Sequence, residues 1–348
     1  MPKRASQTIA KSISPEIKKK KISDDPESSF LSEKVYDSLN KEFSQSWAFE
    51  QWPKKEFGAV YAITTTLDAD NPLECLKADF GLVFVGPFDS YHRIVKGEEL
   101  IVSSDRLAHN RFYHDTPQMI TVLRYSDPNS GFHICYFRNY PFVSPSFVCS
   151  NDSTKSGKFI IIGTNLVSGL INHLKSFEST NNRKKIISKL ESLDDNASFN
   201  EKKFRQTWLK SCDAQIINNL GIEADPRELI VMRELVVSQK SLINTLHSIC
   251  AAKDQASKNK AFSGLDNLVT NANVSNDECD FGQSIELAYN LLSYHHENNP
   301  TAADCFNGTI NSLLEMAFML GNVPAFQETV VKHFSAGRPL VPPFQMMK

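Results

Sequence analysis

The chain has 348 residues, 41% hydrophobic and 22% charged, with a formal net charge of −2. That balance reads as an ordinary soluble globular protein, long enough for two domains and a substantial core. It leaves no place for a membrane span, since no apolar run approaches ~18 residues, and the basic, polar start lacks the hydrophobic core of a signal peptide.

Charge is uneven. Residues 1–21 hold seven Lys or Arg against Glu16 alone, and the remainder holds 31 basic against 39 acidic side chains, about −8. Residues 1–27 show no apolar period and read as a disordered basic arm. Lys18 to Lys21 could serve as a nuclear-localisation run or as a weak nucleic-acid contact. The seven cysteines (75, 135, 149, 212, 250, 279 and 305) are odd in number and widely spaced, without a Cys-x-x-Cys pair. This argues against a disulfide framework and a structural zinc site, and fits a reducing compartment. Asn151-Asp152-Ser153, Asn196-Ala197-Ser198 and Asn307-Gly308-Thr309 match the glycosylation pattern and are read as chance without a secretory signal.

Structure begins near Ser29. Leu31, Val35, Leu39 and Phe43 stand four apart, predicting an amphipathic helix that starts at Ser29 or Ser32. A second helical piece falls near 57–65, although Thr64 to Thr66 are poor helix formers. Gly81 to Pro87 reads as a short buried strand. Met119–Tyr125 and Phe132–Arg138 are strands joined by the turn Asp127-Pro128-Asn129-Ser130-Gly131. In the second strand Phe132, Ile134 and Tyr136 alternate with His133, Cys135 and Phe137, so both faces are covered. Strands at 147–149 and 159–162 follow, then a helix capped by Thr164 or Asn165 and running to Phe177.

Residues 178–206 read as a charged, helical connector. Beyond them strand signals are scarce except at Leu229–Val237, and helices are predicted at 239–252, 258–272, 279–294, 309–320 and 324–334. The expectation is α+β: an amino-terminal mixed α/β domain with an antiparallel sheet over 28–180, then a mainly helical domain over 181–337. A loose, Pro-rich tail is expected over 338–348.

Gly-rich phosphate loops, Gly-x-Ser-x-Gly elbows and His-Glu-x-x-His pairs are absent. His295 and His296 are adjacent and do not share a helix face, which argues for a solvated pair rather than a metal clip. His114 could pair with Asp115, but its aromatic neighbours point more simply to packing. The one concentrated chemistry is Ser275-Asn276-Asp277-Glu278-Cys279-Asp280-Phe281-Gly282, ahead of a run with Phe281, Ile285, Ala288 and Leu292 at helical period. Ser275 or Asn276 reads as an N-cap, with acids in the first turn. An adjacent Asp-Glu pair is more acid than capping needs, and one carboxylate could accept a proton.

Asn276 to Gly282, followed by Ile285-Glu286-Leu287, closely resembles the signature of the histone PARylation factor family. Arg111-Phe112-Tyr113-His114-Asp115-Thr116-Pro117, Gly131 to Arg138, Arg233-Glu234-Leu235 and Leu82 to Asp89 resemble four further segments of that family, in order. The resemblance implies a mixed α/β domain followed by a helical one. It implies a chain that is not an enzyme alone but docks on the catalytic domain of a DNA-break-activated poly(ADP-ribose) polymerase. There it would complete a joint active site that ADP-ribosylates serine on histones and on the polymerase itself.

Glu278 matches the family's general base, and Asp277 is implied as a contact to polymerase and substrate, with Asp280 beside them. Arg233 matches the arginine that steadies the acidic pair; Arg227-Glu228-Leu229 repeats its three letters, and spacing to Glu278 favours Arg233. A helix N-terminus would keep Glu278 ionised, while Asp277 would push one of the pair the other way. Met232 stands where the family has tyrosine, and residues from His295 to about Ala302 are an insertion. The polymerase brings NAD and this chain binds no cofactor. A monomer when alone, a nuclear, chromatin-associated role in the DNA damage response, and no membrane contact complete the expectation. A non-catalytic adaptor that binds the polymerase is the alternative.

Overall fold

The computed structural model describes residues 31–193, 199–227, 230–231 and 235–344. The whole basic arm, Met232, Arg233 and the last four residues lie outside them. Helix α1 (Glu33–Ser46) begins after Ser32 and buries Leu39 and Phe43. Helix α2 (Lys54–Leu67) runs through the three threonines, whose hydroxyls donate to the backbone carbonyls of Tyr61 and Ala62 one turn back. A short α3 (Lys77–Phe80) ends at left-handed Gly81 and leads into β1 (Leu82–Phe84) and α4 (Pro87–Val95).

Strands β2 (Met119–Tyr125), β3 (Phe132–Phe137), β4 (Phe147–Asp152) and β5 (Ile160–Gly163) complete a five-stranded antiparallel meander in chain order. Alternation sorts its side chains. Ile134, Tyr136 and Val148 join Phe43, Phe49, Phe57 and Phe88 under the amino-terminal helices, together with α5 (Leu166–Leu174) and α6 (Asn181–Glu191). Cys135, Phe137, Phe147 and Cys149 face the other way, onto Trp208 of α7 (Glu201–Ser211) and onto Leu220. Both faces are thus covered, and packing of the amino-terminal half continues past residue 180 into α6 and α7.

The other half is helical: α8 (Gln239–Ala251), α9 (Gln255–Asp277), α10 (Gly282–Ser293), α11 (Asn307–Leu320) and α12 (Pro324–Ser335). Every residue of α10 is buried, which makes it the axis around which the others pack. Two of its polar residues are bonded within the protein: Asn290 accepts from the Ile217 N–H at 2.9 Å, and Ser293 donates to the Tyr289 carbonyl at 2.6 Å.

Three expectations change. Ile230, Val231 and 235–237 lie in no strand; the Val231 carbonyl instead accepts the Gly282 N–H at 3.0 Å, serving the start of α10. The tail is not loose over 338–344. Arg338 is buried, stacks on Tyr113 at 4.2 Å and donates to the Tyr113 carbonyl at 2.9 Å, while Pro342 accepts from Arg124 at 2.9 Å. Finally, the helix expected over 258–272 extends to Asp277, which relocates the acidic stretch.

Candidate acidic site between α9 and α10

The acidic residues stand at the end of one helix, not at the start of the next. Asp277 closes α9, Glu278 is its C-cap, and Cys279 has φ +62°. The Cys279 N–H donates to the Asn276 carbonyl at 3.1 Å and the Asp280 N–H to the Ser275 carbonyl at 2.9 Å. This is a Schellman turn with a cysteine where glycine is usual. Ser284 in the first turn of α10 donates to buried Asn276 Oδ1 at 3.0 Å, fixing the two helices against each other. The turn is therefore held by backbone and buried polar groups, and Asp277, Glu278 and Cys279 project from it into solvent.

Asp280, by contrast, is 1% exposed and points inward. Both Glu278 and Asp280 are engaged in interactions with the protein. The placement corrects the dipole argument for Glu278, because the end of α9 carries negative partial charge. The misreading has a physical source. The last eight residues of α9 bury only Ala272, Ser275 and Asn276, so no apolar period marks the helix there.

Exposed apolar side chains lie at the same end of the helical half. Val274 on the last turn of α9 and Val231 beside Gly282 are about half exposed. Ile230 packs against Gly321, which brings the end of α11, with exposed Met319 and Leu320, to the same end of the helical half. Of the site residues expected from sequence, Asp277, Glu278 and Asp280 are together; Met232 and Arg233 fall outside the described residues.

Two other groupings were not legible in the sequence. Asp115, His133 and Cys135 bring one ligand atom each within 4.8 Å of one another, all buried. Asp115 therefore pairs with His133, at 2.9 Å from Nε2, rather than with His114. The second His133 nitrogen bonds the Gly131 carbonyl at 2.8 Å, and Asp115 also accepts from the Phe112 N–H at 2.9 Å. These contacts tie Asp115, His133 and their neighbours into a buried polar network. His114 lies instead at the junction of the halves, with Nδ1 2.9 Å from the Leu292 carbonyl and Nε2 3.2 Å from His295 Nδ1. His295 is consequently half-buried rather than solvated. Neither contact is visible as a motif, since the partners are 178 and 181 residues apart.

Comparison with known proteins places this arrangement. The profile of the histone PARylation factor 1 family matches residues 28–336. Histone PARylation factor 1 of Bos taurus is 26% identical over 294 residues, covering 81% of this chain and 82% of that protein. The Mus musculus protein of the same name is 25% identical over 338 residues, covering 92% and 91%. The Danio rerio protein is 24% identical over 282 residues, 78% of each. With the sheet, the helical half and the acidic turn all inside the matched span, the chain belongs to the histone PARylation factor family.

Proposed function

We propose that this chain is an accessory factor that docks on the catalytic domain of a poly(ADP-ribose) polymerase and lends it a general base. The observation that carries the reading is the Asp277-Glu278 pair, exposed on a hydrogen-bonded turn at the end of the helical half where Val231, Val274, Met319 and Leu320 are exposed as well. A carboxylate needs a desolvating neighbour to be an effective base at a hydroxyl, and an apolar rim is a surface that a partner can cover. NAD would arrive with the polymerase; this chain would supply no cofactor.

In the joint site Glu278 would accept the serine hydroxyl proton as the oxygen attacks the ribose carbon that releases nicotinamide. Asp277 would contact polymerase and substrate. Arg233, two residues beyond Val231, would hold the acidic pair by charge-assisted hydrogen bonds, with Met232 and Asp280 beside it. Serines of histones and of the polymerase itself would be the acceptors, and the nucleus, at sites of DNA damage, the location. No helix among the described residues is long and apolar enough to cross a membrane.

The test combines the protein with a polymerase catalytic domain, nicked DNA, NAD and a histone tail peptide. Glu278→Gln is expected to retain polymerase binding and to lower the rate of serine modification by roughly 10²–10⁴-fold, the usual worth of a general base. Full serine modification with Glu278→Gln removes the catalytic assignment. Met232, where the family has tyrosine, favours a second reading as an adaptor. In that case wild type would bind the polymerase without raising serine modification.

A further inference from the structure

Three donors of different chemistry meet on one face of the sheet. His133 and Cys135 are alternate residues of β3, so both side chains leave the same face, and Asp115 reaches them from the segment before β2. Each offers one atom within 4.8 Å of the other two, and all three residues are at most 1% exposed. Phe112 stacks flat on His133, with ring centroids 3.9 Å apart and planes at 3°, which fixes the imidazole and closes the group from water.

The hydrogen bonds around the trio call for a cation inside it. The Gly131 carbonyl can only accept, so its 2.8 Å contact puts a proton on His133 Nδ1 and, in a neutral imidazole, a lone pair on Nε2. That lone pair faces Asp115 Oδ1 at 2.9 Å, an acceptor when ionised. Two acceptors so close need a proton or a metal ion between them. A shared proton has no use for a third, soft donor such as Cys135, whereas zinc takes oxygen, nitrogen and sulfur together. The other Asp115 oxygen is held by the Phe112 N–H at 2.9 Å and the Thr121 hydroxyl at 3.5 Å, and that hydroxyl also lies 3.6 Å from Cys135 Sγ. Outer contacts of this kind orient metal ligands.

We propose that Asp115, His133 and Cys135 form a structural zinc site, with Cys149 as its fourth ligand. Cys149 stands opposite Cys135 in the register of β3 and β4, in the same buried cluster. Zinc holds such ligands at about 2.0–2.3 Å in a tetrahedron, which sets the donors about 3.3–3.8 Å apart, a spacing the trio can adopt within its 4.8 Å span. The ligands come from three separate segments, so no Cys-x-x-Cys pair announces them. On binding, the two thiols and the His133–Asp115 contact release their protons to solvent. Zinc with one carboxylate and two thiolates carries a net −1, and buried Arg124, in register with His133 on β2, stands beside it as counter-charge. The ion takes no part in the joint reaction. It pins the segment whose Tyr113 meets Asp304 and whose His114 meets Leu292, and so braces the sheet half against the helical half.

The test uses untagged full-length protein from zinc-supplemented culture, dialysed against a chelator, with metal content read by inductively coupled plasma mass spectrometry. Wild type is expected to retain about one zinc per chain, and X-ray absorption at the zinc edge to show two sulfur and two lighter neighbours. Cys135→Ser should lower the retained zinc about tenfold or more. Refolding from urea should recover more native protein with zinc present than with the chelator. Wild type holding less than about a tenth of a zinc per chain even after refolding with zinc, or zinc bound without a sulfur neighbour, would overturn the proposal. Both readings are made on wild type, so poor folding of Cys135→Ser would not obscure them.

Discussion

Cys279 holds the left-handed conformation on which the acidic turn depends, with φ +62°. A non-glycine residue there costs about 1–2 kcal/mol, an amount offset by the two turn hydrogen bonds and by the anchoring of Asn276 and Ser284. Cys279→Gly is therefore expected to leave the urea midpoint unchanged or slightly raised. Cys279→Val, β-branched and poorly suited to that region, should lower stability by roughly 1–2 kcal/mol. At this scale the sequence displays the acidic cluster but misplaces it at the start of a helix. The three acids at 277, 278 and 280 are visible as a cluster, and the family resemblance singles out Glu278. Their division into two exposed and one buried follows from the turn, which depends on Cys279 in a conformation that the residue type does not announce.

Among elements, apolar period gives the helices of the carboxy-terminal half to within a few residues wherever one face is buried, as in α8, α11 and α12. It fails over the last turns of α9, where burial is sparse, and at Ile230–Val231, whose β-branched residues serve a helix start instead of a strand. The segment after α12 shows how a Pro-rich stretch can be ordered by tertiary contacts alone. Arg338 is 1% exposed, stacks on Tyr113 and Phe334, and donates to the Tyr113 carbonyl and to Asn307. Arg338→Ala removes these contacts and leaves buried acceptors unmet, so a loss of roughly 3 kcal/mol is expected in urea denaturation. A loss under about 0.5 kcal/mol, typical of surface substitutions, would contradict the packed placement.

Across the whole molecule the sheet half and the helical half are keyed together by buried polar contacts. His114 meets Leu292 and His295, Tyr113 meets Asp304, and Arg138 lies between Phe49 and Phe326 while donating to the Ala48 carbonyl. Burial lowers the His114 imidazole from its ordinary 6.5 to about 3. The unfolded chain therefore takes up this proton first as pH falls. The contribution is complete above pH 6.5 and is lost progressively from there toward pH 3. At pH 5 the loss from this residue alone is roughly 2 kcal/mol, and His114→Gln should flatten the pH dependence of the denaturation midpoint. Such long-range pairing is what a single sequence hides: it displays the sheet, the helices and the acidic signature, but not which histidine meets which strand. The proposal for Glu278 needs this rigidity, because a base lent to another protein must be presented in a fixed position. Its most direct test is the hydroxylamine-resistant ADP-ribose on a histone tail peptide, since esters on acidic residues are cleaved and serine linkages survive. Wild type with a polymerase catalytic domain should yield resistant label that Glu278→Gln, still bound to the polymerase, loses by roughly 10²–10⁴-fold in rate. Equal resistant label from wild type and Glu278→Gln would contradict the account.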